Sequence, residues 1–125
     1  MKGNWKSPSI SFNPDGNLQI WGRSLPENAI DVYNPIFNWL DNYKKNPAKI
    51  TSVIFKLEYF NTTSSKLIYE IFKRFEEIKN NGNDIHVKWH YEADDPDLKE
   101  EGNTLNKIIN IDIELIEVEE FDFVY

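Results

Sequence analysis

Four hydroxyl side chains in a row, Thr62-Thr63-Ser64-Ser65, stand between Asn61 and Lys66 and directly follow a run rich in β-branched and aromatic residues. If that run is a strand and a helix begins at the string, the hydroxyls sit where unpaired backbone N–H groups and the positive end of the helix dipole stabilise a negative group. A phosphorylated threonine suits such a position. Plain helix capping suits it as well, because Asn, Ser and Thr are the preferred N-cap residues. Local spacing leaves both readings open.

Two other groups carry titratable side chains. His86 and His90 are four residues apart in a stretch that alternates like a strand. They would share a face but lie about 13 Å apart along it, too far to hold one metal ion. Packing or hydrogen bonding under a covering helix is the expectation for them. Asp94, Asp95, Asp97, Glu100 and Glu101 form an acidic patch without the alternating oxygen ligands and mid-loop glycine of an EF-hand. A solvated loop and helix start accounts for the patch. A small metal-dependent enzyme using His90 with Asp94 or Asp95 is the rival it leaves. No phosphate-binding P-loop, nucleophile elbow, dinucleotide fingerprint or HExxH is present, and no motif calls for a cofactor.

Composition narrows the classes further. The 125 residues contain no cysteine, which removes disulfide frameworks, thiolate metal sites and thiol nucleophiles. The formal net charge is −7, so the basic footprint needed for nucleic acid or anionic membrane is lacking. Hydrophobic residues make up 40% of the chain, enough for the core of one folded domain spanning 1–125. With no apolar leader segment or membrane-length run, a cytoplasmic protein is expected.

The elements that must position these groups follow from periodicity and turn chemistry. Ile10–Phe12 and Leu18–Trp21 flank Asn13-Pro14-Asp15-Gly16-Asn17, a hairpin signal. Ser24 and Glu27 have capping-box spacing with Pro26 between them, which predicts a helix start there. Ile30, Tyr33, Phe37 and Leu40 continue it, with a kink or restart near Asn34 because Pro35 lacks a donor. Ile50–Phe60 reads as the central strand. Its apolar residues on both alternations at Val53-Ile54-Phe55 predict a sheet covered on both faces. Leu67 to Ile78 forms a second helical stripe ending at Asn81-Gly82, and Ile85–Tyr91 a further strand. A weaker helix with Leu98, Leu105 and Ile108 is interrupted by Gly102. Ile111–Val118 is the last strand, with a bulge or strand end expected at Leu115-Ile116. The aromatic tail Phe121, Phe123 and Tyr125 either extends that strand or packs on a partner.

The order ββαβαβαβ implies an α/β domain whose mixed, mostly parallel sheet carries an N-terminal hairpin, three helices and right-handed crossovers. In such a sheet the strand-to-helix connections Gly22–Asn28, Asn61–Lys66 and Glu92–Asp97 converge at one carboxyl edge. Function is expected at that edge.

Those residues are also familiar as a set. The blocks Gly22-Arg23-Ser24-Leu25-Pro26-Glu27-Asn28, Phe37-Asn38-Trp39-Leu40, Leu57 to Lys66, Val87-Lys88-Trp89-His90-Tyr91 and Leu115-Ile116-Glu117 resemble, in the same order, the SiaC-type family of bacterial regulatory phosphoproteins. The resemblance runs from about Ser9 to Val118. It implies a STAS-like fold, as in anti-sigma factor antagonists, with a hydroxyl after the central strand phosphorylated by a partner. The family acceptor, the Thr directly after Asn, maps onto Thr62.

The resemblance further implies a non-enzymatic partner switch. A Ser/Thr kinase related to histidine kinases adds the phosphate and a PP2C-type phosphatase removes it. The unmodified form activates a diguanylate cyclase, so cyclic-di-GMP output and biofilm behaviour follow the phosphorylation state. Partner contacts then fall on Arg23, Ser24, Pro26, Glu27, Asn28, Asn61, Thr63, Ser64, Ser65 and Lys66. Leu25 stands where the family often has Tyr, and the aromatic tail is outside its pattern. An alternative is a STAS-like module that binds a ligand or protein without being phosphorylated.

Overall fold

The computed structural model describes residues 8–24 and 29–121, with the backbone alone at Ala29, Thr62 and Thr63. The expected Pro26, Glu27 and Asn28 contacts, Leu25 and most of the aromatic tail therefore lie outside the described residues.

Strands β1 (Ser9–Phe12) and β2 (Asn17–Ser24) form the hairpin. Its turn closes through Gly16 N–H to the Asn13 carbonyl at 3.0 Å and Asn17 N–H to the Asp15 carboxylate at 3.0 Å. Gly16 supplies the left-handed corner at φ +101°. There follow α1 (Ala29–Tyr43), β3 (Ile50–Phe60), α2 (Thr62–Asn80), β4 (Asp84–Glu92), α3 (Pro96–Ile108) and β5 (Ile113–Val118). The five strands lie in sequence order, β1 antiparallel to β2 and every later neighbour parallel. The ββαβαβαβ reading and the central place of Ile50–Phe60 hold.

The expectation of a sheet covered on both faces does not. Parallel strands in sequence order, joined by crossovers of one hand, place every helix on the same side; covering the second face requires a reversal of strand order. All three helices accordingly contact the same alternation. Tyr43 of α1 reaches Thr51 with its hydroxyl at 2.8 Å, Phe72 of α2 stacks on Phe55 at 5.1 Å between centroids, and the Leu98 carbonyl of α3 accepts from Trp89 Nε1 at 2.9 Å. Leu18, Ile20, Val53, Phe55, Leu57, Val87 and Trp89 are buried on this side. The opposite alternation, with Gln19, Ser52, Ile54, Lys56, His86 and Lys88, is exposed or half-buried.

Ser24 is the last residue of β2, fully buried, and the helix start expected at 25–28 lies outside the described residues. Three local expectations are corrected. Helix α1 continues through Pro35 without a restart, and Pro35 lies on its exposed side where displaced backbone groups can meet water. Gly102 does not interrupt α3. It is buried, and a Cβ there would stand 2.5 Å from Leu115 Cδ2 and 2.8 Å from Trp89 Cδ1, so its missing side chain lets the helix close onto the sheet. Finally, β5 pairs with β4 in unbroken register through Leu115 and Ile116. The register shift falls at Gly22/Arg23 instead, where Gly22 adopts φ +103°.

Candidate phospho-acceptor edge

Because β2 to β5 are parallel, their carboxyl ends share one edge. The Gly22/Arg23 irregularity brings the end of β2 beside Tyr59 and Phe60 at the end of β3. There the Asn61 N–H donates to the Ser24 carbonyl at 3.0 Å, so the sheet ladder continues one residue past the strand and fixes where α2 must start.

Asn61 then caps the helix. Its backbone is extended (φ −88°, ψ 174°), its side-chain oxygen accepts from Ser64 N–H at 2.9 Å, and its carbonyl accepts from Ser65 N–H at 2.9 Å. Thr62 and Thr63 are the first two helical residues. The cap is thus Asn61 itself and not one of the four hydroxyl residues that follow it.

The four hydroxyl residues are not equivalent. Ser64 is fully buried and its Oγ accepts from Ser24 Oγ at 2.9 Å. Ser24 Oγ is in turn in short contact with the Tyr33 hydroxyl from α1. Burial pushes the Tyr33 phenol up to about 12, against the Ser24 and Ser64 hydrogen bonds that pull it down, so the group stays protonated. Ser65 is half-buried and Lys66 exposed. Arg23, on the alternation opposite to Ser24, is half-buried, with Nε buried and unpaired among the described residues.

The third loop joins the same edge. Asp95 caps α3, accepting Leu98 N–H at 3.1 Å, with Pro96 opening the helix. A groove of about 340 Å³ runs between Tyr59 and Phe60 on one side and Asp95, Asp97, Leu98, Glu100 and Glu101 on the other. A second, of about 370 Å³, continues from Glu101 between α2 and α3, lined by Ser65, Lys66, Tyr69, Leu105 and Ile108 among others. Tyr59 and Ile108 are 46% and 54% exposed. This acidic, partly apolar margin lies beside the start of α2.

The model of the SiaC family regulatory phosphoproteins matches residues 1–118. The chain belongs to that family. An uncharacterised protein of Pseudomonas aeruginosa strain UCBPP-PA14 is 25% identical over 92 residues, covering 74% of this chain and 67% of that protein. Among solved structures, SiaC of Pseudomonas aeruginosa in complex with the diguanylate cyclase SiaD, whose activator it is, superimposes with a TM-score of 0.86 at 21% identity. It covers 93% of this chain and 96% of that one. Apo-SiaC gives 0.85 at 21% identity, over 93% and 95%. The SiaC fold therefore spans this chain from the hairpin to β5.

The rival constellation is not assembled in this SiaC family member. The Asp95 carboxylate is engaged as a cap, and His90 lies on the uncovered sheet face paired with Lys56, not beneath a helix. Among the described residues no three His, Asp or Glu side chains are grouped to hold a metal ion. No described helix is long and apolar enough to cross a membrane. Tyr33 is the site residue that periodicity missed, since it occupied an ordinary place in an apolar stripe. The available signal was its hydroxyl, because a tyrosine in a core position needs a buried partner that phenylalanine would not.

Proposed function

We propose that this chain is a non-enzymatic signalling switch phosphorylated on Thr62, and that its unphosphorylated form binds and activates an effector. The observation carrying this reading is the position of Thr62: first residue of α2, immediately after the Asn61 cap, at the edge where the strand ends converge. A phosphate there lies at the positive end of the α2 dipole, which stabilises negative charge. Ser64, which is fully buried, is withdrawn from an incoming kinase. The effector is a diguanylate cyclase, by analogy with Pseudomonas aeruginosa SiaC, which is the activator of SiaD. The kinase is of the Ser/Thr-specific type related to histidine kinases and the phosphatase of PP2C type, with Arg23, Pro26, Glu27, Asn28, Thr63, Ser65 and Lys66 in the surface they share.

Phosphate adds about −1.5 to −2 charges at this edge. The neighbouring margin already carries Asp95, Asp97, Glu100 and Glu101. An effector that docks on the unmodified edge loses affinity through like charge and through the cost of desolvating the phosphate. The test is effector activation by Thr62→Ala and Thr62→Glu chains in the presence of the kinase. The alanine chain should activate constitutively and the glutamate chain should not. Normal kinase-dependent switching of the alanine chain would refute the assignment.

A further inference from the structure

Three hydroxyls from three separate elements meet beneath the acceptor turn: Tyr33 from α1, Ser24 from the end of β2 and Ser64 from the start of α2. All three residues are fully buried, so no water competes for their protons. Ser24 has a single hydroxyl proton and donates it to Ser64. The Tyr33 hydroxyl bonds to the same Ser24 oxygen, so a run of hydroxyls links α1 through β2 to α2. Ser64 is held twice, by its side chain through this chain of hydroxyls and by its N–H through the Asn61 cap.

We propose that Tyr33 is a positioning residue for phosphoryl transfer: through Ser24 and Ser64 it fixes the first turn of α2, and hence Thr62, in the geometry a kinase engages. This rests on the reading of Thr62 as the acceptor. It also gives Ser64 a role other than acceptor, since both its hydrogen-bonding groups are engaged inside the fold. Removing the Tyr33 oxygen takes a buried hydrogen-bond partner from Ser24 while the ring still fills its place in the core, so the loss falls on the turn and not on the packing.

The test uses the full chain and its Tyr33→Phe, Ser64→Ala and doubly substituted forms. Exchange of the Ser64 and Ser65 amides is compared with that of Val53 and Val87 in the central strands. The initial rate of phosphate incorporation at Thr62 is measured with labelled ATP and host-cell extract under phosphatase inhibition. In Tyr33→Phe the turn amides should exchange about tenfold faster, the scale of one lost buried hydrogen bond, with the strand amides nearly unchanged and the Thr62 rate reduced by a similar factor. Ser64→Ala should do the same, and the double variant no more than the larger single one, since all act through one chain. Turn amides at wild-type rates in both single variants, strictly additive effects, or an unchanged Thr62 rate would overturn the positioning role alone. A wild-type chain that takes no phosphate on Thr62 would overturn the acceptor reading and the positioning role with it.

Discussion

Ser24 Oγ donates to Ser64 Oγ across 2.9 Å, although forty positions separate the two residues in the chain. Together with the Asn61 N–H to Ser24 carbonyl bond, this ties the end of β2 to the first turn of α2 by side chain and backbone at once. The two sequence blocks around Ser24 and around Thr62 are therefore parts of one site.

Removing the cap should loosen that site first. Asn61→Ala leaves the Ser64 N–H without its side-chain acceptor and should cost about 1 kcal/mol of stability, while Asn61→Asp or Asn61→Ser retains most of it. Urea denaturation of the three chains checks the order.

Charge at Thr62 should set effector affinity. Thr62→Glu places one negative charge where phosphate would place more, so its dissociation constant for a diguanylate cyclase partner should rise at least about tenfold, or about 1.4 kcal/mol, with Thr62→Ala close to wild type. Titration calorimetry distinguishes this from equal binding by all three.

A side chain at Gly102 should separate α3 from the sheet. Gly102→Ala forces a methyl group against Leu115 and Trp89 and should destabilise by about 1–3 kcal/mol despite the better helix propensity of alanine. The measurement is the shift in denaturation midpoint. A stabilised variant would contradict the close approach.

How far the chain could be read before its structure depended on whether a feature was local. The Asn13–Asn17 turn, the Ile50–Phe60 strand and the Thr62 helix start carry their own residue chemistry and emerged as expected. The uncovered sheet face did not, because Val53-Ile54-Phe55 looks apolar on both alternations while strand order alone decides where helices can go. Gly102 was misread for the same reason. A glycine in a helical pattern has a local meaning, and here the packing partners Trp89 and Leu115, on other elements, override it. The assembly of Tyr33, Ser24 and Ser64 is a tertiary fact that no spacing rule encodes.

The uncovered face gives the chain a pH response near neutrality. His90 is held below its usual value first by desolvation and then by Lys56 and Lys88, with Glu114 opposing. A histidine whose folded value is depressed binds more protons when unfolded. Stability is therefore greatest above the unfolded value of about 6.5 and falls as pH drops from there toward the folded value. His90→Gln should flatten this slope between about pH 7.5 and pH 5.5, read as urea midpoints at both ends. Below that window the Glu76 carboxyl takes over. It is lowered by the Asn110 N–H and then by Lys73, so its contribution is lost as pH falls through its folded value.

The central claim is that Thr62 carries the switching phosphate. Intact mass and phosphopeptide mapping of the chain from its own host, prepared under phosphatase inhibition, test it most directly. The account predicts a single added phosphate on Thr62, with Ser64 unmodified. Phosphate on Ser64, or none under any growth condition, would contradict it.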